Sequence, residues 1–339
     1  MSRPNYGGLD WLKFAAALMV VANHTSPLLS YSATADFLVS NLLSRIAVPV
    51  FFMTAGFLFF RKLTGNSLTD RIALRSYMLK ILKLYAIAVL VYIPLNVYTG
   101  YFSDPFTIYT LLKDIVFDGT FYHLWYLPAS IIGFFIIYSM YRKLSMNATL
   151  AWAGLLYIMG LLGDSYYGIM QNSNGLVHIY EGMFNVFDYT RNGLFYAPIY
   201  LAVGAWAAKQ PISVRTPFAN AALFAVSLVL MYVEGILLHS EDIPRHDSMY
   251  IFTLPATYFL FQWSLQWKLK ANKTFREWRV WVYILHPLAI VLVRGAAEVT
   301  KLEQLFITNS LIHFIAVCVV SIGMAAITVW LMTVSRKFR

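Results

Sequence analysis

Two ionisable residues lie inside the first apolar stretch of the chain, LDWLKFAAALMVVANHTSPLLS (Leu9 to Ser30): Lys13 near one end and His24 deep within it. A lysine at the centre of a membrane-crossing helix costs roughly 2.5–3.5 kcal/mol on insertion scales, so such groups usually face a protein interior or a wet cavity. Eleven residues at about 100° each make three turns plus about 20°, which puts both side chains on one helix face, roughly 16 Å apart along the axis. Asp10 falls near that face. Pro27 has no amide donor and is expected to bend or end the helix just past the imidazole. A histidine beside interrupted backbone is placed to meet a substrate. Structural roles stay open for both residues: Lys13 reaching to the interface, and His24 as a neutral ring hydrogen-bonded inside a bundle. Their shared face favours function.

Other residue groups carry chemistry of different kinds. RSYMLKILKLY places Arg75, Lys80 and Lys83 at the entry of a later apolar stretch, either as a routine charged anchor or as a clamp for the phosphates of a nucleotide-type donor such as an acyl-coenzyme A. Lys268, Lys270, Lys273, Arg276 and Arg279 form a second basic cluster. On the opposite side lie His123, Trp125 and Tyr126 in YHLWYLPAS, Arg191 and Asn192 in TRNGLF, and Arg245, His246 and Asp247 in PRHDSMY. Cations there run against the charge trend of membrane loops, so each needs a partner or a ligand. The aromatic residues fit an interfacial belt and a pocket for a sugar or small zwitterion equally well. His286 before Pro287 is balanced between an interface histidine at a proline kink and a functional group, while His178, His239, His313 and Glu234 carry little weight. The chain holds no HExxH, paired CxxC, GxSxG or Walker-type glycine loop, so no metal ligand set is expected and the nucleophile would be the acceptor itself.

The elements that must position these groups are membrane helices. Of 339 residues, 59% are hydrophobic and 12% charged, half the usual charge of a soluble domain. Ten apolar stretches centre on 9–30, 41–60, 81–99, 121–141, 148–163, 192–208, 218–238, 248–267, 280–297 and 309–334. Nineteen of the 26 basic residues, including Arg3, the 61–83 stretch, Arg142, Lys143, Lys209, Arg215 and the 336–339 end, fall on alternate connections. Asp36, Asp104, Asp114, Asp118, Asp164, Glu181, Asp188, Glu241, Asp242, Asp247, Glu298 and Glu303 mark the others. The positive-inside rule then puts both termini in the cytoplasm, as an even number of crossings requires. The net charge of +10 reflects this topology, and no nucleic-acid partner is expected. The expected fold is an all-α, polytopic bundle of about ten transmembrane helices in the cell membrane, with the lipid bilayer as its solvent and residues 1–339 forming one membrane domain or the membrane part of a longer product. No cleavable signal pattern opens the chain, and the lone Cys318 excludes an internal disulfide.

Nearly end to end, these stretches resemble the acyltransferase-3 family of multi-spanning membrane acyltransferases. Lys13, ten residues and His24 look like the family's first-span signature; FFMTAGF (Phe51 to Phe57) resembles its FFxxSGF, with Ala55 where serine is usual; Lys80 and Lys83 stand where the family has Arg-x-x-Arg; HLWYL and YILHP also match. The resemblance implies a ten-span bundle in which His24 is the base, Lys13, Lys80 and Lys83 face the donor, and an acyl group such as acetyl passes from cytoplasmic acyl-coenzyme A to a hydroxyl of a cell-envelope glycan or similar acceptor. Acyl-coenzyme A would be co-substrate, with no metal. A second resemblance, in GLDWLKFAAALMVVANHTSPL, TRNGLFYAPIYLAVGAW and PRHDSMY, is to the membrane half of the vancomycin-resistance membrane-bound serine racemases. That likeness implies passage of a small amino acid, with Arg191, Arg245 and Asp247 holding its carboxylate and ammonium. The O-acyltransferase is the leading expectation here and the serine or amino-acid transporter domain its alternative.

Overall fold

The computed structural model describes residues 6–103, 106–171, 173–211 and 215–337, without the side chains of residues 174, 336 and 337. Arg3, Asp104 and Arg339, which enter the orientation argument, lie outside the described residues. Among those described there is no strand. The long helices are α1 (Gly7–Thr25), α2 (Ala33–Phe60), α3 (Ser67–Tyr98), α4 (Tyr126–Lys143), α5 (Met146–Leu162), α6 (Ala197–Ala207), α7 (Pro217–Ser240), α8 (Thr253–Leu265), α9 (Lys273–Thr300) and α10 (Ser310–Lys337). Each of the ten apolar stretches overlaps one of them. Five, α2, α3, α7, α9 and α10, are long and apolar enough to cross a membrane, and α5 and α6 are shorter apolar helices.

Local chemistry sets the ends. As expected from Pro27, α1 stops at Thr25, where Ser26 turns into the left-handed region (φ 47°) and returns its N–H to the Ala22 carbonyl. The Asn66 side chain accepts the N–H groups of Leu68 and Thr69, starting α3 fourteen residues before its apolar stretch begins. Asn272 caps α9 in the same way, through the N–H of Phe275. In both, a cationic first half keeps the helical repeat, although its charges pull the local hydropathy down. Beyond this, α4, α6 and α8 start five residues later than their apolar stretches, because loop segments lead into them. The 192–196 lead-in is fixed by Asn192 Oδ1, which accepts the N–H groups of Leu194 and Phe195.

The chain forms two compact units. The first comprises the described residues within Met1–Phe51, Ile212–Val233 and Phe252–Arg339. Its core sets α1 against α8 and α9: Phe14 stacks on Phe275 at 4.3 Å, Trp11 meets the same ring edge-on at 4.6 Å, and Gly8 lies so close to the Ser264 backbone that any Cβ would overlap it. The second unit comprises Phe52–Pro211 and Glu234–Ile251. Here α2 and α6 meet backbone to backbone, Gly204 against Met53 and Phe57, and Gly56 against Leu201. Tyr157 joins α5 to this core by donating to the Tyr250 carbonyl at 2.7 Å, with the Tyr200 hydroxyl 3.0 Å away.

Candidate functional site

In the first unit the basic end of α1 is an ionic knot. Asp10, only 3% exposed, accepts Arg276 Nε on Oδ1 at 3.1 Å and Arg276 Nη2 on Oδ2 at 2.8 Å, plus the Asn272 N–H at 3.2 Å. Lys13, 5% exposed, lies within the fields of Asp10, Arg276 and Arg279. Of the two readings left open for Lys13, reaching to the interface does not hold, since the side chain is enclosed. A buried ammonium needs such a carboxylate nearby, and Asp10 provides it.

Further along α1, His24 is half-buried and stacks on His286 of α9, with ring centroids 5.2 Å apart and planes 21° apart. The backbone explains how His286 is held. Pro287 has no N–H, so the Tyr283 carbonyl four residues back loses its helical donor, and His286 Nδ1 takes that carbonyl at 2.7 Å. A carbonyl only accepts, so Nδ1 carries the proton and Nε2 is the basic nitrogen. His286 is fully buried, and α9 runs through Pro287 unbroken. The structure thus brings together Lys13, Asp10 and Arg276 at one level, and His24 and His286 at another.

The second unit holds the remaining sequence candidates. Arg75, Lys80 and Lys83 are exposed and line, with Ile72, Ser76 and Leu79, a shallow groove of about 450 Å³ along one face of α3. The three- and four-residue steps that link all six lining residues make them a single helical stripe. His123 is buried against Tyr92, 5.0 Å between centroids, while Trp125 and Tyr126 are half-buried beside Phe52. The Arg191 guanidinium lies over the Tyr189 ring at 4.4 Å and the Trp125 ring at 5.3 Å, so Arg191, Trp125 and Tyr126 do gather around one aromatic cluster. Arg245 and Asp247 instead bind the loops: Arg245 Nη1 donates to the Asp188 carbonyl at 2.8 Å with its guanidinium 3.5 Å over Phe184, and Asp247 accepts the Tyr250 hydroxyl at 3.2 Å. Asp164, fully buried, accepts the N–H groups of Ser248 and Met249 and its own carbonyl takes that of Arg245. Nearby, burial pushes the Asp118 carboxyl up to about 6, with the Asp188 charge adding to the effect.

Spacing alone misses two participants. The Asp10–Arg276 pair spans 266 positions, and its only local sign is a carboxylate in the first turn of an apolar helix. The role of His286 is written in the dipeptide His-Pro itself, which supplies both the orphaned carbonyl and its donor.

A helical membrane protein with charged and imidazole groups enclosed among its spans is the class this architecture defines. The chain belongs to the acyltransferase-3 family: the family model described as an acyltransferase domain matches residues 6–330. Curated relatives include two proteins named amino-acid racemase from Enterococcus faecalis. One is 39% identical over 95% of this chain and 45% of its own length, the other 36% identical over 98% and 47%. A serine/alanine racemase from Enterococcus gallinarum is 33% identical over 93% of this chain and 45% of its own. The chain therefore spans about half the length of the curated relatives it matches. No solved structure matches it.

Proposed function

We propose that this chain is the membrane half of an amino-acid racemase system and carries a small amino acid such as serine across the cell membrane. One observation carries the reading: all three relatives compared are named for racemising amino acids, and each is matched along nearly all of this chain. A racemase works on one small zwitterion, and a membrane half that moves the same molecule fits that task. Enclosed ionisable groups in a bundle mark substrate or proton pathways, and α1 and α9 supply two sets, Lys13 with Asp10 and Arg276, and His24 with His286. Arg191 adds the fork geometry that suits a carboxylate. Both termini are cytoplasmic in this reading, and about ten helices cross.

A second reading is favoured by the histidine pair. The tautomer fixed by Tyr283 leaves a basic Nε2 on His286, stacked against His24. In that reading His24 is the general base, Arg75, Lys80 and Lys83 hold acyl-coenzyme A, and an acyl group such as acetyl goes to a hydroxyl at the outer face. A positioned base typically contributes 10²–10⁴-fold to such a transfer. The family description supports acyl transfer in general. The stripe on α3 is shallow and carries lysines where the family has arginines, which is weaker for bidentate phosphate binding.

Purified chain in proteoliposomes separates the two readings. Radiolabelled serine flux and acetyl transfer from acetyl-coenzyme A are measured in the same vesicles. Saturable serine flux without acetyl transfer is the expected result. Acetyl transfer that falls in His24→Ala, with no serine flux in the parent, overturns the transport reading.

A further inference from the structure

We propose that Asp114 and Asp118, in a short helical segment of the second unit, and Asp188, in a loop of the same unit, form a binding site for a divalent cation of calcium size. Each residue offers a carboxylate oxygen within 4.8 Å of those of the other two. Calcium takes oxygen ligands at about 2.3–2.6 Å in flexible geometry, so one ion spans such a set, whereas magnesium demands a near-ideal octahedron and gives up its waters reluctantly.

The geometry of Asp118 points to a ligand independently of this clustering. Asp118 is 9% exposed, and while its Oδ2 accepts the Asp188 N–H at 2.9 Å, its Oδ1 is buried with no hydrogen-bond partner. A carboxylate oxygen enclosed without a donor is costly, and beside two further carboxylates the group that satisfies it is a cation.

The chain supplies part of that charge itself. Lys113 Nζ sits 2.7 Å from Asp188 Oδ1, and the Tyr101 hydroxyl donates to Asp114 Oδ2 at 2.5 Å. One ammonium against three carboxylates leaves the cluster negative, and Lys113 bonds only Asp188 among them. The Asp188 side chain is half exposed, which leaves room for the waters that complete six to eight ligands around calcium. Motif spacing misses the site because Asp188 comes from a loop seventy residues after Asp118.

Binding would tie the 108–118 segment to the loop that carries Arg191. The Asp188 carbonyl already receives Arg245, and the next residue, Tyr189, lies under the Arg191 guanidinium. An ion held here would therefore steady the aromatic and guanidinium cluster without touching it.

Terbium luminescence on the purified full chain tests the proposal, with the Tyr101 phenol bonded to Asp114 as a near sensitiser. Saturable Tb³⁺ luminescence should be displaced by CaCl₂ at about ten-fold lower concentration than by MgCl₂. Asp118→Asn and Asp188→Asn should each weaken binding by about ten-fold or more, and Lys113→Met should tighten it by removing the competing charge. A parent protein with no calcium-displaceable signal overturns the site, as does Asp118→Asn with unchanged affinity. Equal displacement by magnesium overturns the assignment of ion size. If Asp118→Asn does not fold, Asp114→Asn and the parent titration decide the matter in the same way.

Discussion

Replacing Asp10 with asparagine removes one charge from a place where three cations converge. Asp10 is almost fully enclosed, with 4% of its side chain exposed, whereas the Arg276 side chain is 53% exposed. Breaking an enclosed pair from the carboxylate side costs about 3–5 kcal/mol when the stranded partner cannot rehydrate. Arg276 can partly rehydrate and the substituted amide can still accept the Asn272 N–H, so the expected loss for Asp10→Asn is about 2–3 kcal/mol. Lys13 contributes to that loss, because without Asp10 the enclosed ammonium faces only Arg276 and Arg279. A cycle of Asp10→Asn, Arg276→Gln and the double variant therefore shows coupling of about 1.5–3 kcal/mol, and Asp10→Asn with Lys13→Met recovers part of the stability. Reversible unfolding in mixed micelles, followed by tryptophan fluorescence, reads all of these. Additive single and double variants, or an Asp10→Asn loss below about 0.5 kcal/mol, refute the ionic knot as an energetic unit.

Pro287→Ala restores an N–H that competes with His286 for the Tyr283 carbonyl, so the helix should gain stability while flux or transfer falls, read by a melting curve beside the vesicle assay; unchanged activity removes the tautomer lock from the mechanism. The triple replacement of Arg75, Lys80 and Lys83 by Gln leaves folding within about 0.5 kcal/mol, since all three are exposed, and weakens any coenzyme A binding together with its salt dependence. A reporter fused after the last residue should be cytoplasmic and a tag placed in the Asp242 turn external, as accessibility labelling will show; both on one side would break the proposed topology.

Much of this architecture is legible in the chain because a bilayer enforces long apolar runs. The end of α1 follows from Pro27, and the shared face of Lys13 and His24 from elementary helix geometry. Helix starts are harder to read where charge and helix coincide. Asp36 looks like a loop residue, yet it is 6% exposed and accepts the Leu28 N–H and the Ser40 hydroxyl, so α2 begins well before its apolar run. Arg75, Lys80 and Lys83 lower the hydropathy of a segment that is helical throughout. Within the site, Arg191 gathers with Trp125 and Tyr126 as their residue types suggest. Arg245 and Asp247 carry the same chemistry but spend it on the loops, a choice made by partners at Asp188 and Tyr250 that no local pattern announces. Asp10 with Arg276 and His24 with His286 are joined by tertiary packing alone.

The glycine contacts between α2 and α6 also bear on how the protein moves. With Gly56 against Leu201 and Gly204 against Met53, two backbones touch with no side chain between them to slide or change rotamer. Packed surfaces of this kind have one good arrangement and resist continuous deformation. The 52–60 part of α2 and the helix α6 must then move as a single strut in any rearrangement of the second unit. Gly154 of α5, where an added Cβ would meet nothing within 4 Å, is a glycine of the same unit that locks no neighbour in this way.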